Sequence, residues 1–297
     1  MSESIAYLNG QIIPASQASI SVSDPGFMLG VTVAEQLRTF GGKLFRLDEH
    51  LDRLERSLQI VGVDSQHSRR DLRRITEEIA AHNFGLLRPG DDLGVTLFVT
   101  PGNSPEEPTV CIHPRPLLFR QWAEKYRSGE SLATTDVEQV SIRCWPAELK
   151  CRSRMHYYLA DRQAAARFPG SRALMLDENG FATEATTANV LVYRTNEGLL
   201  TPPGTKILPG ISLGVLEQLA GEMGITLTRR DLRPEDVAAA DEVLLCSTSP
   251  CVLPVTQFNG RPIADGKPGS VFGSLLNGWS KLVNLDIAAQ AETMSAS

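Results

Sequence analysis

No stretch of this chain reaches 18 consecutive apolar residues, so the sequence offers no transmembrane helix. The N-terminus, Met1 to Gln11, holds an acidic residue and lacks a basic start followed by an apolar run, which argues against a secretory signal. Basic residues are outnumbered: 29 Lys and Arg face 35 Asp and Glu, a formal net charge of −6. That balance argues against a nucleic-acid binder, which needs a basic face, but not against a small anion held by a few local cations. Five cysteines (Cys111, Cys144, Cys151, Cys246, Cys251) form no C-x-x-C pair, so reduced thiols and a cytoplasmic setting are expected. H-E-x-x-H, G-x-x-x-x-G-K and G-x-G-x-x-G are all missing, so neither a metal site nor a Rossmann or P-loop nucleotide site is expected.

What is present is ordinary for a globular protein: 42% apolar and 22% charged residues over 297 positions. The length fits two domains, and the connection-like stretch from Pro114 to Gly129 sets them at 1–120 and 121–297. Residues 5–13 read as a strand carrying an Asn9-Gly10 turn, and 31–40 as a strand or short helix. Leu51, Leu54, Leu58 and Val61 recur at helical spacing, and Ser68 can cap a second helix bearing Leu72, Ile75 and Ile79. Alternation predicts strands at 95–99 and near 110–112, 131–143, 173–177, 189–193, 225–229, 242–247 and 252–257. Helices are predicted near 155–168, from 210 to 223 and over 270–290, with Ser295-Ala296-Ser297 frayed. The class is α/β (α+β): a small N-terminal α/β domain and a larger C-terminal mixed α/β domain.

Gly210-Ile211-Ser212-Leu213-Gly214 matches the nucleophile elbow of serine hydrolases. Prolines 202, 203 and 209 stand where the elbow needs an incoming strand. All five histidines, the last being His156, precede Ser212, whereas the catalytic histidine of that fold follows the serine. The hydrolase reading is therefore set aside.

Six stretches point elsewhere. They are Asp24-Pro-Gly-Phe-Met-Leu-Gly30 with Glu35; Phe45 to Leu54, containing His50-Leu-Asp-Arg53-Leu54; and Ser141 to Lys150. The others are Phe181 to Val190, containing Glu184 and Asn189; Leu208-Pro-Gly-Ile211-Ser212; and Glu242 to Thr248 continuing to Leu253-Pro254-Val255. In order and spacing they resemble the class IV (fold-type IV) pyridoxal-phosphate-dependent aminotransferases, the family that includes branched-chain and D-amino acid aminotransferases and aminodeoxychorismate lyase. The likeness runs over about residues 5–262.

The resemblance implies a pyridoxal 5′-phosphate enzyme with a two-domain fold-type IV architecture and a homodimeric assembly. Lys150 would form the internal aldimine and carry the proton shift. Glu184 would keep the pyridine nitrogen protonated, since that ring is the electron sink. Arg53 would pair with the phosphate, for which a guanidinium has bidentate donors. Ile211 and Ser212 would offer backbone N–H groups at a helix start, with hydroxyls from Ser212 and Thr248. Asn189 would order its own loop. The implied activity is amino-group transfer between an amino acid and a 2-oxo acid; the alternative is a β-elimination lyase of the aminodeoxychorismate lyase type.

The chain departs from the family in its carboxylate traps. The strand over 93–99 carries no arginine, Thr100-Pro-Gly-Asn103 stands where D-amino acid aminotransferases have Arg-x-His, and Ala34 replaces an aromatic. Cations follow the lysine instead, at Arg152, Arg154 and His156. Arg152 or Arg154 is expected to grip the substrate carboxylate, with Arg38 and Arg143 as further candidates.

Overall fold

The computed structural model describes residues 3–104 and 106–296. The chain divides into two compact units. The first comprises residues up to Leu117 and takes back Leu149–Ser153; the second comprises Leu118–Glu148 and everything from Arg154. Lys150 thus belongs to the first unit.

In the first unit the strands are β1 (Ile5–Leu8), β2 (Gln11–Pro14), β3 (Val33–Phe40), β4 (Lys43–Leu44), β5 (Leu93–Thr100) and β6 (Thr109–Pro116). They form an antiparallel sheet in the order β2-β1-β6-β5-β3-β4. The expected single strand at 5–13 is a hairpin, because Asn9 and Gly10 both take positive φ (47° and 89°). The ambiguous 31–40 segment is a strand from Val33. A short helix, α1 (Pro25–Met28), is capped by Asp24, whose Oδ1 accepts from Gly26 N at 2.6 Å.

Helices α2 (Leu47–Val61) and α3 (Arg69–Phe84) cover one face of this sheet. Leu47, Leu51, Leu54 and Leu58 fall on the buried face of α2 and pack with Leu37, Val95, Leu97, Val99 and Ile112 from the strands. Ser68 caps α3 as its position predicts, its Oγ accepting from Asp71 N at 3.1 Å.

The second unit contains α4 (Lys125–Ser128), β7 (Glu130–Thr134), α5 (Met155–Arg167), β8 (Arg172–Leu176), β9 (Ala182–Ala185), β10 (Ala188–Arg194) and β11 (Gly198–Thr201). After these come α6 (Ile211–Glu222), β12 (Leu227–Arg229), α7 (Pro234–Ala238), β13 (Glu242–Ser247), β14 (Cys251–Phe258), β15 (Arg261–Pro262), α8 (Ser270–Leu282) and α9 (Ile287–Ser295). The sheet runs β12-β11-β10-β13-β14-β7-β8-β9, and β9 also pairs β10, so the strands from β10 round to β9 close into a ring. Leu132, Val190, Val192, Leu245 and Val255 belong to the apolar core of this unit.

Two expectations are corrected. The strand expected over 131–143 stops at Thr134, because the apolar alternation breaks there: Val137, Val140 and Ile142 do not keep a period of two. The helix expected over 270–290 is two helices. Asn284 adopts a left-handed conformation (φ 52°), and Asp286 caps α9 by accepting from Ala289 N at 2.9 Å. Of the expected frayed tail, Ser295 closes α9 and Ser297 lies outside the described residues.

Candidate active site

The first unit gathers a charged group around α2. His50, Arg53 and Ser57 lie three and four residues apart, hence on one side of the helix, and all three are buried. Across from them stands Glu35 on β3. Arg53 grips it bidentately, Nε to Oε1 and Nη2 to Oε2, both at 2.8 Å. His50 Nδ1 bonds the same Oε2 at 2.7 Å. Burial alone would raise the Glu35 pKa, but the charge and hydrogen bonds of Arg53, with those of His50, hold it far below the usual carboxylate range. Burial pushes His50 down despite its bond to Glu35, and the charges of Arg53 and Lys150 push the same way.

Lys150 lies against this group. Its backbone N donates to Ser57 Oγ at 3.2 Å, its carbonyl accepts from Ala34 N at 3.0 Å, and Arg152 N donates to Thr32 O at 2.9 Å. Cys151 faces Val33 in an antiparallel bridge, so residues 150–152 form a short extended piece along the start of β3. Ser141–Glu148, which leads into the lysine, is made of turns.

The second unit builds around Glu184 on β9, which is 7% exposed. Its Oε1 accepts from the Tyr157 hydroxyl at 2.5 Å and from Gln139 Nε2 at 3.2 Å. Its Oε2 accepts from Leu208 N at 3.4 Å. Burial and the Glu184 charge push the Tyr157 phenol well above its ordinary value, so it stays a donor. Leu208 is tied on its other side too, since its carbonyl accepts from Asn189 Nδ2 at 3.0 Å. Asn189 therefore orders the loop entering α6 rather than its own turn. Gly210 begins that helix, and a Cβ there would lie 2.0 Å from Asn189 Oδ1, which is why a side chain is excluded. Glu184 and Asn189 are thus both tied to Leu208, three residues before α6 begins.

Ile211 and Ser212 form the first turn of α6, where backbone N–H groups lack partners within the helix. No strand runs into Ser212: β11 ends at Thr201, and Pro202–Gly210 is irregular, so the elbow geometry of a hydrolase is absent. Thr248 opens the turn between β13 and β14 and is half-buried. Among the carboxylate candidates, Arg38 is buried on β3, Arg152 belongs to the first unit, Arg154 to the second at the start of α5, and Arg143 is exposed.

Sequence reasoning gave no role to Glu35 as the partner of Arg53 and His50, or to Ser57, Gln139 and Tyr157. For Glu35, a buried-strand acid opposite a helix bearing His and Arg three apart was a usable signal. For Tyr157 and Gln139, 27 and 45 residues from Glu184, no local spacing announces the contact.

The sequence matches the amino-transferase class IV family over residues 32–258. It is 30% identical over 269 residues to the D-alanine aminotransferase of Bacillus licheniformis, covering 88% of this chain and 90% of that protein. In solved structures the fold is similar to the branched-chain amino acid aminotransferase of Escherichia coli, with TM-score 0.86, 22% identity and 95% of each chain covered. A T.th. branched-chain amino acid aminotransferase solved with pyridoxamine 5′-phosphate is similar as well, with TM-score 0.83, 21% identity, and 98% of this chain and 96% of that one covered. The architecture is the mixed α/β fold of fold-type IV enzymes. The chain belongs to the class IV aminotransferase family, and its activity is amino-group transfer. Nothing found favours the elimination alternative.

Proposed function

We propose that this chain moves an amino group between an amino acid and a 2-oxo acid with pyridoxal 5′-phosphate as cofactor, Lys150 being the tethering lysine and Glu184 the partner of the ring nitrogen. The observation that carries the reading is the Glu184 carboxylate, buried, held by the donors of Tyr157, Gln139 and Leu208, and joined through Leu208 to the loop entering α6. A carboxylate fixed in this way stabilises a proton on an adjacent pyridine nitrogen, because a nearby anion raises the pKa of a cationic acid. When bound, the cofactor supplies the electron sink that takes up charge as the substrate Cα loses its proton.

The remaining residues fit such a group. Gly210 brings no side-chain cap to α6, so the N–H groups of Ile211 and Ser212 and the helix dipole suit a phosphate. The hydroxyls of Ser212 and Thr248 add donors. To Arg53 we assign a phosphate contact through the part of its guanidinium beyond the Glu35 grip. The Lys150 amine, on a backbone fixed by Ser57 and Ala34, is assigned the tether and then the proton taken from and returned to the substrate Cα. Arg152, Arg154 and Arg38 are the assigned candidates for the substrate carboxylate.

A homodimer and a cytoplasmic setting complete the reading. Val22, Phe27, Met28 and Leu29 expose apolar surface on the first unit, as protein contacts do, and cysteines that form no disulfide among the described residues suit a reducing compartment. Among the described residues no helix is long and apolar enough to cross a membrane.

The test is borohydride fixation of the cofactor on the purified enzyme, followed by proteolysis and mass spectrometry. The phosphopyridoxyl group is expected on the Lys150 peptide and absent in Lys150→Ala. Recovery of the label on Lys125 or Lys206 would remove Lys150 from its role.

A further inference from the structure

The two faces of the first unit's sheet differ in kind. Val33, Leu37, Val95, Leu97, Val99, Val110 and Ile112 face α2 and α3. Alternation along each strand sends the intervening residues to the opposite face. The register sets them in rows across β3, β5 and β6: Gln36, Thr96 and His113 in one, Arg38, Gly94 and Arg115 in the next. The extended piece 150–152 continues this pattern. Cys151 opposes Val33, so Lys150 opposes Ala34 and Arg152 opposes Thr32, which puts both side chains on the face of the arginine row.

Gly94 is the feature that a plain sheet does not explain, since glycine weakens a strand interior. A Cβ at Gly94 would lie 2.8 Å from Cγ and Nε of Arg115 and 2.9 Å from its Cζ. The glycine is therefore the seat on which the Arg115 side chain lies as it crosses toward Arg38. Arg38 is 1% exposed, with its Cζ 4.1 Å from the Phe40 ring centroid and its Nε donating to Thr39 O. Burial and the Arg38 charge lower the Arg115 pKa. Burial, Arg152 and Arg115 lower that of His113, notwithstanding its bond to Pro114 O. Four cation-forming side chains thus act on one another across the face from which the Lys150 side chain projects.

We propose that Arg115, seated on Gly94 beside Arg38, is a specificity-determining residue that binds a carboxylate of the substrate on the face of the sheet that carries Lys150. The proposal rests on amino-group transfer at Lys150, whose substrates are carboxylates. A planar guanidinium holds a carboxylate bidentately, and Arg115, half-buried and acted on by the Arg38 charge, is stabilised by a neighbouring anion.

The experiment titrates the holoenzyme with glutarate and with butyrate, neither of which carries a transferable amino group, by isothermal calorimetry. Glutarate is expected to bind the wild type more tightly than butyrate. Arg115→Gln should weaken glutarate ten- to a hundredfold, the size of a lost charged hydrogen bond, with cofactor affinity unchanged. Gly94→Ala, which fills the seat, should weaken it in the same direction, and Arg115→Lys should restore part of the loss. Arg56→Gln, an exposed site on α2, should change nothing. Unchanged glutarate affinity in Arg115→Gln overturns the assignment while leaving the Lys150 reading intact. Cofactor fixed by borohydride elsewhere than Lys150 overturns that reading instead, and the substrate role with it.

Discussion

Glu35 in the first unit and Glu184 in the second are both buried carboxylates in polar settings, and the two settings differ. Glu35 faces a guanidinium that grips both its oxygens, plus an imidazole. Glu184 receives neutral donors: a phenol, a carboxamide and a backbone N–H. Ion pairing at Glu35 spends its charge on its own neighbours, so it serves to lock β3 to α2. At Glu184 the phenol, the carboxamide and the backbone N–H fix the carboxylate oxygens without themselves bringing a charge. A buried acid is thus read by the charge of its donors as well as by its burial.

The largest effect should come from breaking the compensated pair. Arg53→Ala leaves Glu35 buried without its cation, and removing one partner of a buried pair costs about 3–5 kcal/mol. Arg56→Ala, one turn on and exposed, should stay within about 0.5 kcal/mol. Urea denaturation of the two variants measures the difference. Equal midpoints would mean that Glu35 and Arg53 do not lock the sheet to the helix. Stability must be measured first here, because any loss of cofactor affinity in Arg53→Ala mixes the phosphate role with this structural one.

The carboxylate held by Tyr157, Gln139 and Leu208 should behave in the opposite way. Glu184→Gln keeps the shape and is expected to retain fold and cofactor, yet to lose roughly a hundredfold or more in kcat, the scale of one positioned proton-handling group. Equilibrium dialysis and steady-state rates separate the two quantities; wild-type kcat would contradict the comparison. Tyr157→Phe should do less, roughly a tenfold loss, since it removes one hydrogen bond to a charged acceptor. Without that donor the Glu184 anion is less stabilised, so the acid limb of the kcat–pH profile should move to higher pH. A rate loss with an unmoved limb would make Tyr157 a packing residue only.

These two sites were unequally legible in the sequence. Helical spacing exposed Leu51, Leu54 and Leu58, and with them the helix on which Arg53 sits, because a period of 3.6 is written locally. Glycine and proline around 202–210 marked the irregular entry to α6. The partners of Arg53 and Glu184 were not visible, because they come from elements 18 to 45 residues away and depend on how the chain returns. The Lys150 segment is the sharpest case. Its likeness to a family motif identified the lysine, but the pairing with β3 that sets its direction is a long-range bridge, and no periodicity within residues 141–150 encodes it. Gly94 was legible only as a gap in an apolar strand until the register set Arg115 beside it.

The smallest effect concerns acid stability and tests the Glu35 side of the comparison alone. Burial lowers the folded-state pKa of His50 below its ordinary 6.5, so below that pH the unfolded chain takes up a proton that the folded chain refuses. Protons then favour the unfolded state, and stability falls as pH drops from about 6.5 toward the depressed folded value. Glu35 adds a second window. Its folded pKa is depressed from an ordinary 4.5, so its contribution is fully present above about 4.5 and is lost as pH falls further. The wild type should therefore lose stability in two stages on acidification, each with a limiting slope of about 1.4 kcal/mol per pH unit per proton. His50→Gln keeps a donor for Glu35 but cannot titrate. It should flatten the upper stage by up to one proton's slope and leave the lower stage in place. His113 and His156, whose pKa values burial also lowers, contribute equally to both proteins and cancel in the difference. Urea denaturation at steps between pH 7 and 4 gives both curves, and parallel curves through the upper window would show that His50 does not enter the fold neutral.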